Sequence, residues 1–192
     1  MPKIYTKVGD AGKTSLLGKA QVSKALPEIE TYGLLDELNA HFHYWLSILD
    51  KNSLLRLQSV LSFDLQLIGT HLFWVGSRLS CASQEIFEQY QLKRVSDFDI
   101  QQLEKSIDQM NQDLSELNNF ILPGGHPQAA YSHIIRTVCR RVERQMVRSK
   151  SEVPFSLDLE LKWINRLSDF FFVLARYLNF IHQTDDVSVS LV

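Results

Sequence analysis

The stretch LDLELKWINRLSDFFFVLARYLNFI, residues 157–181, decides the fold class. Its apolar residues, from Leu159 and Trp163 through Phe170 and Phe171 to Leu178, recur at three- and four-residue steps and cover nearly the whole helical circumference. A helix that is apolar on several sides must be buried on several sides, so other helices have to surround it. Asn165, Asp169 and Arg176 interrupt that surface at nearly one azimuth, at about 0°, 40° and 20° of rotation. Buried polar groups need partners, so this stripe is a structural network, a ligand site or a subunit interface.

Upstream, Pro154 separates this helix from one expected over about 128–149, and Pro123-Gly124-Gly125 closes the stretch before that. Leu34, Leu35, Leu38, Phe42, Trp45 and Leu49 place a first helix. Leu54 to Leu72 reads as a single second helix capped by Asn52 or Ser53. Ser96 or Asp97 caps a third, with Ile100, Leu103, Ile107, Met110 and Leu114 on one face, and residues 80–90 read as a long connection. The pattern is all-α, a five-helix up-and-down bundle. Residues 1–25 are expected to form an ordered phosphate-binding arm, 26–182 a bundle making one domain with it, and 183–192 a flexible tail.

A chain of 192 residues suits one domain. Twenty Lys and Arg against 22 Asp and Glu leave a net charge of -2, which speaks against a nucleic-acid or membrane-surface partner. Cys81 and Cys139 lie far apart and form no disulfide framework, which suits a reducing compartment. The first residues lack an apolar signal region, and the apolar run at Phe170–Ala175 is far below a membrane span, so a cytoplasmic protein is expected.

Three polar constellations carry chemistry. Thr6-Lys7-Val8-Gly9-Asp10-Ala11-Gly12-Lys13-Thr14-Ser15 combines glycines that let amides converge on an anion, two cations and two further hydroxyls, and Lys24 follows it. It is not a P-loop: only two residues separate Gly9 from Gly12, and no βαβ unit follows. The competing reading is a flexible basic arm. On the helix of 128–149, Arg136, Arg140 and Glu143 form a compact stripe at about 0°, 40° and 340° beside the apolar face. Arginine suits bidentate phosphate contact, whereas the competing reading is a solvated face with weak ion pairs. The first helix adds Asp36, Asn39 and His43 on one side. No His-Glu-x-x-His or Glu-x-x-His motif occurs, so no resident metal site is expected, and no nucleophilic triad announces itself.

Four blocks in order resemble the ATP:cob(I)alamin adenosyltransferase family of the diol-utilisation type. They are residues 5–16, residues 30–39, Phe120–Gly125 with Arg136–Arg144, and residues 161–169 with Arg176. The resemblance implies transfer of the 5′-deoxyadenosyl group of ATP to cob(I)alamin, with Mg²⁺ on the phosphates. It implies a homotrimer with active sites between subunits, and a reductase or a cobalamin-dependent mutase as partner. It assigns Thr6, Lys7, Gly9, Asp10, Gly12, Lys13, Thr14, Ser15 and Lys24 to the triphosphate loop. Arg140, Glu143, Asn165 and Asp169 match the nucleotide site. Arg136 matches an arginine that pairs with Asp36 across subunits, and Phe120 matches the aromatic under the corrin. The chain departs from the family pattern at Val8, usually Thr, and at Glu28, commonly Arg. Those departures support an alternative: a catalytically weak or silent relative that binds ATP or adenosylcobalamin as a regulatory or delivery protein.

Overall fold

The structure is a computed structural model that describes residues 4, 5 and 7–189, so Thr6 lies outside the described residues. A short antiparallel hairpin, β1 (Lys13–Leu16) and β2 (Lys19–Ser23), leads into the helices. These are α1 (Pro27–Ile48), α2 (Lys51–Val60), α3 (Leu67–Leu79), α4 (Gln84–Gln89), α5 (Asp97–Asn111), α6 (Pro127–Ser149) and α7 (Asp158–Ile181).

The molecule is a helical bundle, with seven helices among the described residues rather than five. Two local events account for the difference. The expected helix over 54–72 breaks at Leu61, whose backbone is extended with ψ 138°. The break is stabilised from α5: Ser62 N–H donates to Ser106 Oγ at 3.0 Å, and Ser62 Oγ donates to the Gln102 carbonyl at 2.9 Å. Asp64 then accepts from Gln66 N–H at 3.0 Å, which turns the chain into α3. The second event is α4, where Ser83 caps a short helix inside the expected connection by accepting from Ile86 N–H. Asp50, not Asn52 or Ser53, caps α2, accepting from Ser53 N–H at 2.8 Å. Ser96 caps α5 in a reciprocal box with Asp99. Proline opens α1 and α6, where its missing N–H costs nothing.

Helix α7 sits between α5 and α6, and α1 lies against α6 and α3. Phe42, Trp45, Trp163, Phe170 and Phe171 are all fully buried around it. Phe171 meets Phe42 at 6.2 Å and Trp45 at 6.0 Å, both edge-on, the geometry that ring quadrupoles favour. Trp45 Nε1–H donates to the Gln128 carbonyl at 3.0 Å, so the buried indole is satisfied. No helix among the described residues is long and apolar enough to cross a membrane.

Residues 183–189, read from the sequence as part of a flexible tail, are engaged. Leu122 N–H donates to the Val187 carbonyl at 2.8 Å, and Val189 N–H to the Phe120 carbonyl at 2.7 Å. Ile121 and Ser188 form an antiparallel bridge between these bonds.

Candidate functional site

Helix α6 carries Arg136, Arg140 and Glu143 at helical spacing toward α7. Glu143 Oε1 accepts from Asn165 Nδ2–H on α7 at 2.8 Å, so the two polar positions read on separate helices do meet. Arg140 is exposed. Arg136 is half-buried; its guanidinium lies 6.0 Å from the Phe172 ring centre, and its Nε is buried with no hydrogen-bond partner. Burial, then the charge of Arg140, pushes the Arg136 guanidinium below its ordinary range. One turn earlier, His133 packs edge-on against Phe172, and both ring nitrogens are buried without partners. Burial, and then the charge of Arg136, brings its pKa down to about 4, so the ring is neutral at pH 7. Asp169 does not join this set: it accepts from Arg166 Nη1 at 2.8 Å, and Arg166 also holds Glu104 on α5.

Asp36 is exposed in a different groove, between α1 and α3, lined by Tyr32, Leu35, Asn39, Leu72, Phe73 and Gly76. Asn39 Oδ1 is buried there without a partner. Asp36 and Arg136 make no ion pair within the chain. The ion pair between α1 and α6 is instead Arg141 donating to Glu37.

The arm folds back on itself. Lys7 and Gly12 take left-handed backbone angles, φ 60° and 73°. Lys24 Nζ donates to the Gly9 carbonyl at 3.0 Å and Lys24 N–H to the Gly12 carbonyl at 2.9 Å, so Lys24 braces the Gly9–Gly12 turn. Lys7, Asp10, Gly12, Lys13 and Ser15 are exposed, and Gly9 and Thr14 are half-buried. The hairpin turn rests on the end of α3: Leu17 N–H donates to the Ser80 carbonyl at 2.8 Å, and Ala82 N–H to the Leu17 carbonyl at 2.9 Å. Of the two departures, Val8 is exposed on the arm, whereas Glu28 is buried in the first turn of α1 with Oε2 unpartnered. A carboxylate in a first helical turn is favoured by the helix dipole.

Phe120 projects its ring into solvent, 74% exposed, just before the Pro123–Gly125 turn. Gly125 has φ 99°, and an added Cβ would lie 2.2 Å from Asn179 Oδ1, so only glycine fits. Arg176 belongs to this end of the molecule and not to the Asn165 stripe: its Nε donates to Asp186 Oδ2 at 2.8 Å. Sequence reasoning missed Asn179, Asp186, Glu37 and the solitary burial of His133. A lone polar residue on an apolar helix face, as at Asn179, was the one available signal.

The cobalamin adenosyltransferase family model matches residues 4–178. The chain belongs to the cobalamin adenosyltransferase family. It is 37% identical over 174 residues to the corrinoid adenosyltransferase PduO of Salmonella typhimurium, covering 90% of this chain and 48% of that protein. This chain thus spans about half the length of the first such curated relatives. The corrinoid adenosyltransferase of Bacillus subtilis is 37% identical over 178 residues, covering 92% of this chain and 86% of that one. One solved structure is of a phenylalanine-to-alanine variant PduO-type ATP:corrinoid adenosyltransferase from Lactobacillus reuteri, complexed with cobalamin and ATP. It aligns with a TM-score of 0.87 at 37% identity, covering 98% of this chain and 99% of that chain.

Proposed function

We propose that this protein transfers the 5′-deoxyadenosyl group of ATP to cob(I)alamin, giving adenosylcobalamin and triphosphate. The observation that carries the reading is the polar stripe of Arg136, Arg140, Glu143 and Asn165, part-ordered by one hydrogen bond and otherwise left open on a half-buried face.

The chemistry asks for donors and cations rather than a base. The cobalt(I) electron pair forms the bond to C5′, the C5′–O bond breaks, and its pair leaves with the triphosphate, so the metal ends as cobalt(III). The corrin itself is the nucleophile, which leaves positioning and electrostatics to the protein. Arg140, Lys7, Lys13 and the arm amides meet the charge that develops on the leaving phosphate, with Thr6, Thr14 and Ser15 as hydroxyl donors. Lys24 acts by holding the Gly9–Gly12 turn in shape, and Asp10 completes that loop. Asn165 orients Glu143 through Oε1. Among the described residues, no group of three or more His, Cys, Asp or Glu is placed to hold a metal ion. A single carboxylate fits Mg²⁺, which characteristically takes one or two carboxylates together with substrate phosphates. Glu143 is the residue that would hold it, and Mg²⁺ neutralises phosphate charge when bound.

Arg136 Nε is buried without a partner and Asp36 is exposed, so both are free to make the pairing across the subunits of a homotrimer that the family resemblance implies. Arg136 then meets Asp36 of the partner subunit, and the ATP site forms between subunits. Asp169, on the outer side of α7, borders that interface. Phe120 presents an exposed apolar ring to the lower face of the corrin, where it displaces the axial base and eases electron entry at cobalt. A reductase supplies the electron, a cobalamin-dependent mutase takes the product, and the two free cysteines suit a reducing cytoplasm.

The test is an anaerobic assay of the purified protein with reduced cobalamin, ATP and Mg²⁺. Adenosylcobalamin and triphosphate should appear in equal amounts. Bound ATP with neither product would overturn the transferase reading in favour of a binding relative.

A further inference from the structure

A closed polar cluster lies at the opposite end of α6 from the arm, next to Phe120. Arg176 on α7 donates from Nε to Asp186 Oδ2 at 2.8 Å and from Nη2 to the Ser115 carbonyl at 2.8 Å. Asn179, one turn further on, donates from Nδ2 to Asp186 Oδ1 and to the Gly124 carbonyl, both at 3.2 Å. Its Oδ1 accepts from His126 N–H at 2.9 Å. The two α7 side chains are 6% and 2% exposed. Each oxygen of Asp186 is therefore held by a different residue of the best-buried helix. The same two α7 residues also hold both ends of the loop that carries Phe120, at Ser115 and at Gly124.

Immediately after Asp186 the chain pairs with that loop. Val187 accepts from Leu122 N–H, and Val189 donates to the Phe120 carbonyl. The Phe120 ring itself has little to lean on, being 74% exposed, and Leu117 and Leu122 beside it are exposed as well. Its direction is thus set through the backbone, and the backbone is set by the 186–189 segment.

We infer that Asp186 is a positioning residue for Phe120, holding the 186–189 segment against residues 120–122 and so fixing where the ring stands. This rests on the proposed role of Phe120 at the corrin. Without the carboxylate, Arg176 keeps a buried charge with no counter-ion, and the segment is held to residues 120–122 by its backbone bonds alone. A displacement of about 1 Å in a group that must contact the reacting centre can cost about 10²-fold in rate.

The experiment uses cob(II)alamin and ATP, following by absorbance the ATP-dependent loss of the lower axial base, with ATP affinity measured separately without corrin. Asp186→Ala should lower the base-free fraction and kcat by about tenfold or more while leaving ATP affinity within about twofold. Val189→Pro removes the N–H that reaches Phe120 and fixes the local backbone, touches none of the Arg176–Asp186–Asn179 side-chain bonds, and should lower the same signal in the same direction. It decides the matter if Asp186→Ala does not fold. Phe120→Ala is the reference. If it abolishes the signal while the other two variants retain it, the positioning role is overturned and the corrin role of Phe120 stands. If Phe120→Ala retains the signal, both are overturned. Equal weakening of ATP affinity by Asp186→Ala and Val189→Pro would overturn the inference too, because a general loss of structure does not separate the two ligands.

Discussion

Helix α6 is polar at both its first turn and its middle, and the two places are finished differently. At the first turn, Gln128 donates from Nε2 to the Ile48 carbonyl and to Asp50 Oδ2, both at 3.0 Å, and accepts at Oε1 from Ser53 Oγ at 2.8 Å. His182 reaches the same Ser53 hydroxyl at 2.8 Å and stacks on His126 with ring centres 3.6 Å apart. One or two turns on, Arg136 Nε and both nitrogens of His133 are just as buried and have nothing. Unmet polar atoms in an interior are costly, so the open set stands out beside its closed neighbour on the same helix.

That contrast is broken most severely at the open end. Reversing either Asp36→Arg or Arg136→Asp should disrupt assembly and activity, by about 3–5 kcal/mol for a broken buried pair, and the double reversal should recover part of it. Sedimentation and turnover read the cycle; independent, additive losses would mean that the two residues never meet. At the closed end, Asn179→Leu strips partners from the Gly124 carbonyl, His126 N–H and Asp186 together. Each unmet group costs about 1–3 kcal/mol, so the urea midpoint should fall clearly. An unchanged midpoint would show that the Pro-Gly-Gly turn is held by something else.

The smallest effect sharpens the comparison by pH. His133 in the folded protein titrates at about 4 instead of 6.5. The unfolded chain binds the extra proton between those values, so the neutral ring's contribution is complete above pH 6.5 and is lost as pH falls toward 4. Asp50 at the closed end, held down to about 2 mainly by Ser53 N–H, loses its contribution only as pH falls from 3.8 toward 2. Unfolding curves of His133→Phe should show a smaller loss of stability through the upper window, where His71 and His126, also lowered by burial, still contribute, and should keep the lower one. A variant that keeps the upper window undiminished would assign it to other groups.

Much of the candidate site was legible in the sequence. Arg136, Arg140 and Glu143 share a face because of spacing alone, and Asn165 stood out as an amide on an apolar helix. The Ser96 cap was legible for the same local reason. The break at 61–66 was not, because the groups that stabilise it, Ser106 and Gln102, lie 44 and 40 residues from Ser62. Arg176 shares an azimuth with Asn165, yet it serves the Phe120 end, since a helical wheel has no axial coordinate and cannot show Asp186 arriving from beyond the helix.

By itself, then, the sequence determined the long helices α1, α5, α6 and α7, which of their faces are apolar and which polar residues share a face. Those properties follow from backbone period and side-chain type within a turn or two. Only the tertiary structure decided which polar groups are satisfied. It closed Asp186 onto Arg176 and Asn179, and left Arg136 and His133 open. Satisfaction depends on where distant segments come to rest, and burial makes each pairing, or its absence, energetically consequential.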